Sequence, residues 1–285
     1  MKLTRSFSVL SLAVLALVQI GCGSGGPEPV RPGTPAFFWR AALENFTAGD
    51  YVKTIDQLGR VTASENEFTA RGRAMRLAVL AGLVHGLRES ADQFENGARA
   101  NKTNPTPFRR KVSDYRGSAM RTATEFAETY AAFQKAQPQG DITLDFPYPS
   151  RGTLSAPAAM TRIAQGELLP EPEMQTAHTQ MLQRGVLHVV CDIVGASNDT
   201  ARAQEAMKAR PVAAKRDVFE LAMAESLYEA STLFSPQKGA DPTRQEFLLA
   251  RSVDALKLAG DSGKAAKELK SKIEKDQKDV SKRKS

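Results

Sequence analysis

Residues 36–62 read AFFWRAALENFTAGDYVKTIDQLGRVT. Phe38, Ala42 and Phe46 recur at helical spacing, Gly49-Asp50 interrupts, and Tyr51, Ile55 and Leu58 resume the period. Glycine accepts the left-handed backbone that closes a helix, and an aspartate oxygen accepts from the free amides that open the next one. The stretch predicts two helices joined by a turn so tight that they must form a hairpin.

The helical period continues outward from it. Leu77, Leu80, Ala81, Val84 and Leu87 predict a long helix over 66–99, apolar enough to be central. Pro107 opens another that runs to about Gln134, with Ala119, Phe126, Tyr130 and Phe133 inward. A short helix follows Pro157, and Pro170-Glu171-Pro172 opens one carrying Met181, Val186, Val189 and Ile193. Ser197-Asn198-Asp199 caps a helix that stops before Pro211, and Pro211 is placed in the first turn of a helix over 212–234. Asp241-Pro242 repeats the start signal for a last core helix that buries Phe247, Leu248, Val253 and Leu256. Residues 136–156, with Pro138, Pro147 and Pro149, are the one extended region and are read as a loop dividing a helical domain of residues 36–260. No run alternates convincingly enough for a strand. The expected fold class is all-α: antiparallel helical hairpins, either TPR-like and α-solenoid-like or an irregular helical bundle.

Ala42, the Gly49-Asp50-Tyr51 turn, Ile55 and Leu58 resemble a tetratricopeptide (TPR) repeat over about 30 residues. Thr54 stands where that motif has its second small alanine, and Phe38 where it has tryptophan. No clean 34-residue copies follow. The resemblance implies a module that binds proteins or peptides.

The amino-terminal segment sets the expected address. Lys2 and Arg5 precede an uncharged run from Phe7 to Val18, then Ile20-Gly21-Cys22-Gly23. A positive end, a short apolar core and a small-residue cut site make a secretory signal, here residues 1–21. The run falls short of the roughly 20 apolar residues that cross a bilayer. Ile20, Gly21 and Cys22 resemble the lipobox of bacterial lipoproteins, with Gln19 where leucine is usual. That resemblance implies lipidation of Cys22, which becomes the mature N-terminus, and a place on the cell membrane or outer membrane with the body in the periplasm or at the surface. Gly23 in place of an acidic residue leans toward the outer membrane. Two or three acyl chains hold without help from the protein. Residues 22–35 are rich in Gly and Pro and form a tether with a reach of about 45 Å at roughly 3.3 Å per residue.

Charge and cysteine content exclude other classes. The chain carries a net charge of +7. Lys2 and Arg5 supply two of these charges, and residues 264–285, with nine basic and four acidic side chains, supply the other five. The remainder is balanced, so a distributed nucleic-acid-binding face is disfavoured and no nucleic-acid partner is expected. Residues 261–285 are read as a basic, partly helical tail whose interleaved acids suit a solvated helix. With Cys22 lipidated, Cys191 stands alone and is expected to be buried.

No motif carries chemistry. G-x-S-x-G and H-E-x-x-H are absent. His188, Cys191 and Asp192 fall on one helix face, but Val186, Val189, Val190 and Ile193 around them describe a buried helix. Asp141 and Asp145 are better explained by turn formation than by paired-carboxylate catalysis. The expectation is no enzyme, no cofactor and no metal. Phe37, Trp39, Phe146 and Tyr148 are the candidate partner-binding residues, with core packing the commoner fate for such aromatics. The reading is a lipid-anchored envelope scaffold that docks a protein partner, with a helical periplasmic small-molecule carrier as the alternative.

Overall fold

The computed structural model describes residues 31–136, 140–260 and 263–284. The signal segment, Cys22, most of the tether and Pro138 lie outside the described residues. Helices α1 (Pro35–Ala48) and α2 (Tyr51–Val61) form the expected hairpin. Gly49 closes α1 at φ 77°, and Asp50 accepts from the Lys53 amide at 3.1 Å. The left-handed backbone at Gly49 is what demands glycine, since the Gln183 amide that a side chain there would meet is the movable end of a long side chain. Thr54, fully buried, donates its hydroxyl to the Asp50 carbonyl at 2.9 Å, which lets a polar residue stand where the TPR pattern has alanine.

Helix α3 (Thr69–Ala100) is 32 residues long, about 48 Å at 1.5 Å per residue. From Ala74 to Val84 nearly every side chain is buried. The helix packs against α2, α4 (Thr106–Ala136), α5 (Ala158–Ala164), α6 (Glu171–Ile193) and α8 (Arg216–Ser231). In a solenoid each pair of helices touches only its neighbours along the array. A central helix shared by five others is a bundle, so the solenoid expectation is corrected to an irregular all-α bundle.

A very close approach lies between α3 and α6. A Cβ added at Gly82 would lie 2.7 Å from the Val186 nitrogen, one at Gly86 2.5 Å from the Met181 oxygen, and one at Gly185 2.7 Å from the Gly86 nitrogen. The backbones themselves are in contact. Gly82 and Gly86 are one turn apart on the same face, so they admit α6 together.

The chain after α4 departs from expectation. Ile142–Leu144 forms β1, paired antiparallel with β2 (Val212–Ala214) in the register Ile142 to Ala214 and Leu144 to Val212. Ile142, Leu144 and Phe146 are buried in alternation, a strand signal too short to stand out in sequence. The loop read as a divider ties the segment before α8 to α3, with which β1 packs. Pro211 therefore precedes a strand, not a helix; α7 (Thr200–Ala206) ends early and α8 begins at Arg216. Phe247 is also corrected, being 38% exposed with the Arg251 guanidinium 5.7 Å over its ring. Helix α9 (Pro242–Ala259) packs along α8. The basic segment is helix α10 (Lys264–Lys284), whose Ala266, Leu269, Ile273 and Val280 are buried, and it packs on α9 and α8.

Replacing Gly82, Gly86 or Gly185 by alanine is expected to lower stability in urea denaturation by about 2–3 kcal/mol, the scale of core overpacking. That loss exceeds the roughly 1 kcal/mol gained by removing glycine from a helix interior. Gly117→Ala in α4, whose added carbon meets only Arg121 Nη1 at 3.5 Å, is expected to stabilise by up to about 1 kcal/mol.

Candidate functional site

Helix α2 buries Tyr51, Thr54, Leu58 and Val61. Val52 and Ile55 fall on the flank of that stripe, and Val52 is left 64% exposed. They face a groove between α2 and α4, floored by Leu80, Leu83 and Leu87 of α3 and closed at one end by Leu182 of α6. Adjoining hollows of about 350, 380 and 500 Å³ share Val52 and make up its length. The rim is polar: Arg76 pairs with Glu125 at 2.8 Å, Arg60 with Asp56 at 3.5 Å, and Arg121 donates to the Ser118 hydroxyl at 3.1 Å. An apolar floor with a charged rim, open to solvent, suits an aliphatic side-chain row on a polypeptide better than a fully enclosed small molecule.

His178 sits at the inner end of the groove. Its ring stacks on Tyr115 with centroids 4.2 Å apart. Ser90 spends its proton on the Gly86 carbonyl at 2.8 Å, so at 3.1 Å it accepts from His178 Nδ1–H. Burial, with the Lys111 charge adding to it, lowers the His178 pKa to about 4. The ring is neutral at pH 7, and Nε2 keeps its lone pair.

A second polar cluster spans α3, α6 and α8. His85 and His188 stack with centroids 4.7 Å apart. His85 lies between Glu89 and Glu229, each at 3.3 Å, and His188 pairs with Asp192 at 3.0 Å. Arg88 reaches Glu229 at 2.8 Å, and Arg184 bonds Glu89. Burial opposes charge on His85, but the hydrogen bonds and attraction of Glu229 and Glu89 outweigh it and raise the pKa to about 9. Burial likewise opposes charge on Glu89, yet His85 and Arg184 hold it at about 2. Among the described residues no group of three or more His, Cys, Asp or Glu side chains is arranged to hold a metal ion. The cluster is an ion-pair network linking three helices.

The sequence-predicted aromatics are not brought together as a surface patch. Trp39 is buried, stacked on Phe68 at 5.9 Å with the Arg71 guanidinium 5.8 Å from its ring. Phe146 is fully buried against Phe46 at 5.3 Å. Both are corrected to core residues, since a ring without exposed surface offers a partner nothing. Phe37 is half-buried at the α1 start, edge-on to Phe38, and Tyr148 is half-buried against the core. Cys191 is buried as expected, its thiol pushed up to about 11 by burial. Asp145 is taken by Arg71 at 2.6 Å while Asp141 is exposed, so the two do not act as a pair. The groove itself was missed. Its signal was Val52 beside Ile55, two aliphatic residues off the buried stripe of a short helix.

Searches against family models, curated proteins and solved structures each match nothing.

The two histidines give stability opposite pH slopes. His85, raised to about 9, contributes stability that is complete below about pH 6.5 and lost as pH rises through 9. His178, lowered to about 4, contributes stability that is present above about pH 6.5 and lost as pH falls through 4. Urea denaturation across pH should show His85→Gln destabilised by on the order of 2 kcal/mol at pH 6, with the difference closing by about pH 10. His178→Gln should flatten the acid limb instead.

Proposed function

We propose that this chain is a lipid-anchored cell-envelope protein whose helical body docks a protein partner along the α2–α4 groove. The observation that carries the address is Ile20-Gly21-Cys22-Gly23, preceded by an uncharged run and followed by a Gly- and Pro-rich tether. Acyl chains on Cys22 would fix the body to a bilayer, and the tether would give it reach. No described helix is long and apolar enough to cross a membrane, so on this reading the lipid supplies the attachment.

The docking half of the reading rests on the groove and on the helical hairpin beside it, whose Gly49-Asp50-Tyr51 turn resembles that of TPR modules. A carrier requires an enclosed apolar chamber. The hollows along α2 are open and rimmed by Arg60, Arg76, Arg121 and Glu125, which favours a polypeptide occupant. The work done is positional: the chain holds its partner at the membrane without changing it chemically.

Mass spectrometry of the protein isolated from a bacterial envelope should find Cys22 as the N-terminal residue carrying acyl chains. A free Cys22 thiol, or an uncleaved leader, would remove the assigned address. Affinity capture from solubilised envelopes should retrieve a partner with the wild type and lose it with Val52→Arg. That variant should melt within about 0.5 kcal/mol of wild type, since Val52 is largely exposed.

A further inference from the structure

Another hollow lies away from the α2–α4 groove, where the end of α3 turns into α4. Its volume is about 610 Å³. Arg99 and Lys102 line it from the end of α3 and the turn, Arg109 and Arg116 from α4. Arg109 and Arg116 are two turns apart, so they share one face of α4 with Val112 between them. Ala98 and Val112 give the hollow an apolar floor.

Its charge is unbalanced. Glu95 is the single carboxylate of the lining, and it already serves Arg116 at 2.6 Å and Arg99 at 3.1 Å. Arg116 Nε is buried and donates to nothing, so one N–H of that guanidinium is unspent. Lys102 and Arg109 are exposed and form no ion pair among the described residues. Four cations around one carboxylate leave a local surplus of three, although residues 22–263 are neutral in sum. The sequence gathers these cations, with six basic and one acidic side chain from Arg99 to Arg116, and the α3–α4 turn brings four of them to one hollow.

We propose that this hollow is a binding site for a phosphate dianion carried by a small molecule. Guanidinium groups present paired N–H donors that match phosphate oxygens, and an ammonium adds a point charge. Arg109 and Lys102 supply free donors, Arg116 its unspent Nε–H, and Arg99 a guanidinium only partly engaged by Glu95. The Ala98–Val112 floor receives the carbon skeleton that bears the phosphate. About 36 Å of α3 separates Glu95 from Arg71, which lies over the Trp39 ring of α1. The hollow is thus at the far end of the central helix from the hairpin that leads back to Cys22, which favours a dissolved phosphate over a headgroup of the anchoring bilayer. The anion site is independent of the docking groove, and only the preference for a dissolved phosphate over a headgroup rests on the proposed lipid anchor at Cys22.

The test titrates the full-length chain with inorganic phosphate and with glycerol phosphate, following backbone amide shifts, against sodium chloride at matched ionic strength. Shifts confined to residues 95–116 and specific to phosphate are expected. Lys102→Gln/Arg109→Gln should weaken binding at least tenfold without unfolding, since neither side chain has a structural partner. Glu95→Gln, which frees Arg99 and Arg116, should tighten it severalfold. Vesicles containing phosphatidic acid, a monoester that carries the same dianion, form the third arm, and binding there that the double variant abolishes would identify a lipid as the source of the phosphoryl group. Equal responses to phosphate and chloride, or a double variant that binds as well as wild type, would overturn the assignment.

Discussion

The contact on which the molecule depends is the touching of two backbones, at Gly82 and Gly86 of α3 and Gly185 of α6. Three missing side chains let the helices approach until Val186, Met181 and Leu182 of α6 rest on the α3 main chain. Such proximity gives dispersion contacts at a density that side chains alone would hold apart. It also fixes the rotation of α6 about its axis, because only one face carries the gap. His178 and His188, ten residues apart, are therefore delivered to separate places. One reaches the groove beside Ser90, and the other reaches His85 on the opposite flank of the glycine contact.

Burying a helix on all sides creates a demand that polar groups be satisfied inside the protein. Around α3 the demand is met by side chains from distant segments. The Ser90 hydroxyl donates a hydrogen bond to the Gly86 carbonyl and accepts one from His178 Nδ1–H. His85 is held charged by Glu89 and Glu229. Farther out, the Tyr130 hydroxyl of α4 donates at 2.5 Å to Glu220 of α8, a carboxylate with no exposed surface. Each link joins helices that apolar packing would allow to slide, so the polar groups set register while the hydrophobic contacts supply most of the stabilisation.

What was legible in the sequence was local. Gly49-Asp50, Asp199 and Asp241-Pro242 act where their residue types say they should, because a cap is satisfied by amides three residues away. The all-α class and the central long helix follow from apolar period alone. The misreadings share one cause, a partner far along the chain. Ile142–Leu144 is a strand because Val212–Ala214, some 70 residues later, supplies its hydrogen bonds. Gly82, Gly86 and Gly185 carry no signal until α6 is placed against α3. The His85–His188 stack joins positions 103 apart in sequence, and neither surroundings nor spacing announces it. Aromatic residues near a helix start are ambiguous by chemistry: Trp39 is buried beside Phe68 and Arg71, both supplied by the segment around the start of α3.

The two hollows that invite a ligand arise from the same mismatch of lengths. Helix α3 is about 48 Å long, whereas α2, with 11 residues, covers only about 16 Å of it. Beside α2 the surface of α3 between Leu80 and Leu87 is left to a groove, and its floor is apolar because it belongs to the stretch of α3 that is buried almost throughout. At the other end α5 covers one side of α3, and the side that α3 and α4 leave open is cationic, carrying Arg99, Lys102, Arg109 and Arg116 where no third helix packs. A central helix longer than its partners thus yields two surfaces of opposite character, one able to receive aliphatic side chains and one able to receive an anion. The gap between them is set by rise per residue. It cannot be altered by surface substitution, so a protein built this way can evolve each site without disturbing the other.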